Sequence, residues 1–197
     1  MQPRPHSGAR IAGPTVLAAV VFFAVVACSL QGADAVATQI FQGTPFYLYA
    51  VVADNWVRND VRYTPNRLRA ADGISKSEAT RFTAIAPGGQ VGAPLTTYAI
   101  VTFKALAGTH PWCVPTNTNT GLINDTILCT DDAQPIDWLT LHIKGDSTWH
   151  APIYAGDTIR LTKGWLNCGA PPWPTNGAAL YCENTGPDNW RDFHIEV

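Results

Sequence analysis

One strand-like phrase occurs three times along this chain, and no other feature limits the possible folds as strongly. Its copies are Ala79-Thr80-Arg81-Phe82-Thr83-Ala84-Ile85, Trp138-Leu139-Thr140-Leu141-His142-Ile143 and Trp190-Arg191-Asp192-Phe193-His194-Ile195. Each follows a second short run: Arg67-Leu68-Arg69-Ala70, Thr126-Ile127-Leu128-Cys129 and Ala179-Leu180-Tyr181-Cys182. With Phe82, Leu141 and Phe193 as anchors the copies recur every 50–60 residues or so, near the upper end of repeat periods of about 20–50. Such a recurrence speaks to architecture rather than to activity.

The residues between the copies are those of an all-β chain. Beyond residue 35 no apolar stripe follows a helical period, and Gly73–Thr80, the one candidate helical turn, reads as a loop. Short β-branched and aromatic runs alternate with turn clusters. The runs include Phe46 to Val52, Thr97 to Phe103 and Asp157 to Thr162. Each unit thus contains four short strands, in repeats of about 44–90, 94–146 and 151–197. One such unit cannot bury its apolar face alone, whereas three closing round a common axis can, and closure removes exposed edges.

Residues 1–35 read as a signal peptide. Arg4 and Arg10 precede the uncharged run Thr15 to Cys28, and Ala33-Asp34-Ala35 fits a small-x-small cleavage site. Val25-Val26-Ala27-Cys28-Ser29 also resembles a bacterial lipobox, which would place a lipid anchor on Cys28. Ile11 to Cys28 stretches toward the length of a retained anchor. Export is common to all these readings. Cleavage leaves a single domain, 36–197, secreted or displayed outside the cell, with no membrane span after signal removal.

Cysteine usage agrees with export. Cys113, Cys129, Cys168 and Cys182 form an even set, which an oxidising compartment turns into disulfides. The repeat selects Cys113–Cys129 and Cys168–Cys182, because each pair brackets the same stretch of its unit. Val57 and Ala70 hold those positions in the first unit. Structural zinc would require paired C-x-x-C spacing, which is absent.

At this point the chain resembles the β-trefoil superfamily, in its fascin-like and ricin-type branches. The resemblance covers Thr44 to Val197 and rests on the closing strands, the matched cysteine pairs, and Trp138 and Trp190 ahead of two closing strands. It implies three four-stranded repeats closing a barrel. Ricin-type lectins carry Gln-x-Trp at those tryptophans, whereas this chain has Ile136-Asp137-Trp138 and Asp188-Asn189-Trp190. A β-sandwich is the alternative fold, but it predicts neither a threefold period nor cysteine pairs confined to repeats.

Catalytic chemistry finds little support. His142 and His194 occupy matching places in the phrase and read as solvent-facing strand positions that threefold symmetry would hold apart. His110 and His150 lie in loops outside any metal motif. No G-x-S-x-G elbow occurs, and both disulfides together leave no thiol nucleophile in the mature domain. No cofactor or metal is expected. A formal net charge of −2 without a basic run argues against nucleic acid as a partner.

Aromatic residues are the stronger lead. Of seven tryptophans, Trp138 and Trp190 read as core, and Trp56, Trp112 and Trp165 as structural residues ahead of each second strand. Trp149 and Trp173 escape the pattern. Trp173, in Pro171-Pro172-Trp173-Pro174, sits in a loop tied at its base by Cys168 and Cys182, which lowers the entropy cost of binding. Trp173, Trp149, Asp188 and Asn189 are therefore the candidate ligand contacts, and Asn124 in Asn124-Asp125-Thr126 is a glycosylation sequon. The reading is a non-catalytic, lectin-like module whose partner is a glycan or an extracellular protein. A trefoil-type protease inhibitor or a structural surface protein is the alternative.

Overall fold

The alternating runs become strands in the computed structural model, which describes residues 37–62, 66–70, 73–116, 125–131, 138–171, 179–184 and 188–197, the backbone alone for Asp188 and Asn189. The signal-like segment, Cys28, Asn124 and Trp173 lie outside the described residues. Among the described residues thirteen strands follow in chain order. The first unit supplies β1 (Tyr47–Ala50), β2 (Asn55–Trp56), β3 (Arg58–Asp60), β4 (Asn66–Arg69) and β5 (Phe82–Ile85). The second supplies β6 (Ile100–Ala105), β7 (Trp112–Thr116), β8 (Asp125–Thr130) and β9 (Leu139–Ile143). The third supplies β10 (Thr158–Lys163), β11 (Leu166–Gly169), β12 (Tyr181–Glu183) and β13 (Asp192–Glu196). The Gly73–Thr80 stretch, expected as a loop, contains a 3-10 turn at Lys76–Glu78, whose entry is fixed by the Ser75 N–H donating to the Glu78 carboxylate at 3.0 Å.

Six strands pair one after another. β1 lies on β13, β13 on β10, β10 on β9, β9 on β6 and β6 on β5, all antiparallel. Phe46, the residue just before β1, forms an isolated bridge with Phe82 of β5, and the two exchange both backbone bonds at 2.8 Å. The hairpins β3–β4, β7–β8 and β11–β12 meet in a second set of pairings. There β4 lies on β8, β8 on β12, and Arg69 bridges Ala179.

The register repeats from unit to unit and corrects the alignment read from the sequence. Phe46 pairs with Phe82, Val101 with Leu139, and Ile159 with Phe193. The true equivalents are therefore Phe82, Leu139 and Phe193, and the second copy of the phrase is shifted by two residues from its expected anchor. His142 and His194 are consequently not equivalent. Nor are they separated: β9 and β13, which carry them, flank β10 on its two sides.

Alternation places one face of every long strand inside. Phe46, Phe82, Phe103 and Phe193 are fully buried together with Leu48, Leu139, Leu141, Ile159, Leu161 and Ile195. Phe46 meets Phe103 edge-on at 5.8 Å between ring centroids. Each such side chain contributes about 1.5–3 kcal/mol through burial. Both disulfides form as the repeat required, Cys113–Cys129 and Cys168–Cys182, each between directly opposed residues of a hairpin. Gly169 ends β11 where a Cβ would fall 2.4 Å from the Trp190 carbonyl oxygen, so no larger residue fits there. Among the described residues no helix is long and apolar enough to cross a membrane.

Candidate functional site

Of the six tryptophans among the described residues, two stand out from the surface. Trp149 is 70% exposed and Trp165 67%. Trp165, expected among the structural tryptophans, instead occupies the two-residue turn between β10 and β11, because Lys163 pairs directly with Leu166. Gly164 supplies the positive φ of 58° at the position where tight type II′ hairpins place glycine. Trp138 and Trp190, expected in the core, are half-buried at the mouths of their strands. Trp56 and Trp112 are half-buried within β2 and β7.

Trp149 is held from below. The Asp146 carboxylate accepts the Thr148 N–H at 2.8 Å, an Asx-type turn, and the loop docks where the Thr97 N–H donates to Ala151 O at 2.8 Å. That anchoring sets Tyr98 beneath the indole, with centroids 4.5 Å apart and planes 20° from parallel. Tyr98 in turn stands edge-on to His142 at 4.9 Å. His142 Nε2 lies 2.9 Å from Thr162 Oγ1 on β10, and burial pushes its imidazole below the ordinary value of 6.5. Tyr98 and His150 both have left-handed backbones, with φ of 63° and 62°. That conformation costs an L-residue roughly 1–2 kcal/mol, and such strain gathers at binding sites.

A second aromatic group lies on the other side of β10. Trp56 meets Tyr49 at 5.1 Å, and Tyr49 stacks on His194 at 6.3 Å with planes 6° apart. The three are directly opposed across β2, β1 and β13. His194 Nδ1 lies 3.0 Å from Thr158 Oγ1, again on β10. The Tyr49 hydroxyl donates to Asp54 Oδ1, and that bond, aided by burial, raises the phenol above its usual range. Lys76 Nζ sits 5.2 Å from the Tyr47 ring centre and 5.3 Å from that of Trp56 while bound to Glu196 at 2.9 Å. The two histidines, read as solvent-facing, are thus half-buried and bonded to threonines.

Between the groups, Arg160 Nε binds Asp192 Oδ1 at 2.7 Å and Lys144 Nζ binds Asp192 Oδ2 at 2.5 Å. His110 pairs with Asp131 at 2.7 Å. Among the described residues no cluster of three or more His, Cys, Asp or Glu could hold a metal ion. The open depression lined by Phe41, Gln42, Gly43, Thr44, Val91 and Gly92 offers no charged side chain to orient a ligand.

Of the candidate contacts, Trp149 is placed by the structure in an aromatic stack. Asp188 and Asn189 belong to a 3-10 turn leading into β13, and Trp173 lies outside the described residues. Tyr98, Tyr49, His142 and His194 were not singled out from the sequence as members of these aromatic groups. Their only sequence signal was alternation on strands, which marks an outward face without naming what lies across it.

Strands, register and cross-strand bridges define an all-β protein with two disulfides, of the kind that an oxidising environment permits. The chain belongs to the DUF5888 family, described as a domain of unknown function, whose model matches residues 15–194. No curated protein sequence matches it. Among solved structures, the chain is similar to an SDF2-like protein from Arabidopsis thaliana, at 14% identity and a TM-score of 0.59, covering 80% of this chain and 94% of that one. It is similar to the lysenin pore at 13% identity and a TM-score of 0.56, over 82% of this chain and 48% of that one, so it spans about half of that chain's length. It is also similar to the Macrolepiota procera ricin B-like lectin in complex with lactose, at 12% identity and a TM-score of 0.52, over 81% of this chain and 99% of that one. At these identities the likeness is one of fold.

Proposed function

We propose that the chain is a β-trefoil, exported behind a cleaved signal peptide, that acts as a non-catalytic carbohydrate-binding module. The strand succession of β1, β13, β10, β9, β6 and β5 is what a six-stranded barrel requires. The three mutually paired hairpins are what its cap requires. The similar Macrolepiota procera lectin is in complex with lactose, which supports the class of ligand but not its identity.

The observation that carries the reading is the exposed Trp149 indole lying flat on Tyr98. A stacked indole presents its free face at little ordering cost, and such a face suits the apolar side of a sugar ring. The test is a glycan array probed with the wild type and Trp149→Ala, a surface change that leaves the core intact. Binding by the wild type and at least a tenfold loss in the variant are expected. Failure of the wild type to bind any glycan would refute the reading.

A further inference from the structure

We infer that the ligand is an extended linear oligosaccharide laid across β10, not a single sugar held at Trp149. The inference rests on the carbohydrate reading and adds the size and path of the ligand. Its ground is that the molecule carries two platforms of the same composition, each a tryptophan on a tyrosine on a histidine. Both histidines fasten to β10.

Trp56, Tyr49, His194 and Thr158 form one ladder, each opposite the next across β2, β1, β13 and β10. Asp192, Arg160 and His142 form the next ladder across β13, β10 and β9, and Tyr98 and Trp149 continue it by ring contact. Thr158, Arg160 and Thr162 are alternate residues of β10, so all three face outward while Ile159 and Leu161 face the core. The strip is therefore continuous, with aromatic surface at both ends and hydroxyls and a guanidinium between.

Its dimensions decide the size of the ligand. Neighbouring strands lie about 4.8 Å apart, so the histidines, on strands two apart, are separated by roughly 10 Å across the sheet. The terminal tryptophans are about five strand spacings apart, roughly 20 Å or more along the surface. No single hexose reaches both platforms, whereas a chain of several does. The middle suits a neutral chain: Asp192 engages Arg160 and Lys144, Glu196 holds Lys76, and Asp146 and Asp157 accept N–H groups of Thr148 and Tyr154. Each of these carboxylates is thus engaged within the protein, while the guanidinium keeps N–H donors for sugar hydroxyls. The rings already pack on one another, stacked or edge-on, so binding orders little that is not ordered beforehand.

The experiment measures binding to linear β-1,4-linked glucose, β-1,4-linked N-acetylglucosamine and β-1,3-linked glucose oligomers of about one to six units, with wild type, Trp149→Ala and Trp56→Ala. Affinity for one series is expected to rise at least tenfold from dimer to hexamer. Trp56→Ala removes the rise but keeps short-sugar binding, and Trp149→Ala removes both. Hydrogen exchange on the wild type keeps the test independent of how the variants fold. The hexamer is expected to slow exchange both at 144–151 and at the β1–β2 turn, 51–54. Mono- and disaccharides bound as tightly as hexamers, or protection confined to 144–151, would overturn this inference and leave the carbohydrate reading standing. No sugar bound at any length would overturn both.

Discussion

Asp60 is the residue with the most concentrated electrostatics in the described molecule. Its carboxylate is buried and accepts Arg62 Nε at 2.9 Å, Arg62 Nη2 at 2.7 Å and Arg69 Nη1 at 2.7 Å, with Arg58 Nη2 at 3.8 Å. The Arg62 hydrogen bonds, joined by Arg69, outweigh the penalty of burial and hold the acid well below its ordinary 3.8. A carboxyl depressed in the folded state binds fewer protons there than in the unfolded state between the two values, so stability falls as pH drops through that window. The contribution is fully present at neutral pH and is lost progressively below about pH 4. Asp60→Asn leaves guanidinium groups facing a neutral amide, and removing one partner from a buried ion pair costs about 3–5 kcal/mol. Urea unfolding at pH 7 is expected to show that loss. At pH 3 the gap between wild type and variant is expected to narrow, and an unchanged gap would mean that the ion pairs do not set the stability. The sequence marked none of this, because Asp60 meets Arg69 only through the β3–β4 pairing.

At the scale of elements, the hairpins carry the clearest agreement between sequence and structure. Cys113 pairs with Phe103 and Cys168 with Leu161 on the preceding strands, and the Val57 N–H donates to the equivalent Leu48 at 2.9 Å. Val57 therefore stands where the cysteines stand, and the β3–β4 register places Ala70 opposite it, one pair beyond Arg58↔Arg69. Val57→Cys with Ala70→Cys is expected to form a third disulfide on oxidative refolding, with no additional free thiols by titration and a gain of up to about 3 kcal/mol. Two titratable thiols would show that the first hairpin departs from the register of the others. Cysteines made this correspondence legible because each disulfide needs a partner at one distance. The closing strands carried no such pin. A period-two pattern distinguishes one face from the other but is blind to a slip of two residues, and Leu139, Leu141 and Ile143 offered successive apolar positions for one anchor. The aromatic strip was less legible still, since Tyr98 and Trp149 meet only when the 144–151 loop docks beside Thr97.

For the molecule as a whole, the pairing scheme leaves no unit able to stand alone. The first unit depends on β13 for the second partner of β1 and on β8 for the second partner of β4. The second and third are joined at β9–β10 and at β8–β12. Their apolar residues enter one continuous core cluster rather than three. Unfolding any unit exposes the core and frees strand edges in the other two, so the free energy cost falls on all of them together. The equivalent positions Phe82, Leu139 and Phe193 probe this directly, each being buried on a different unit's closing strand. Phe82→Ala and Phe193→Ala are expected to cost about 3–5 kcal/mol and Leu139→Ala about 2–5. Against a typical domain stability of about 5–15 kcal/mol these are large losses, yet each variant is expected to unfold in one transition with the wild-type denaturant slope. Far-ultraviolet circular dichroism and tryptophan fluorescence recorded on the same urea titration make the comparison, and coincident curves indicate a single cooperative unit. A Phe82→Ala curve that splits, with fluorescence and dichroism parting, would mean that the first unit, which lacks a disulfide among its described residues, unfolds ahead of the other two.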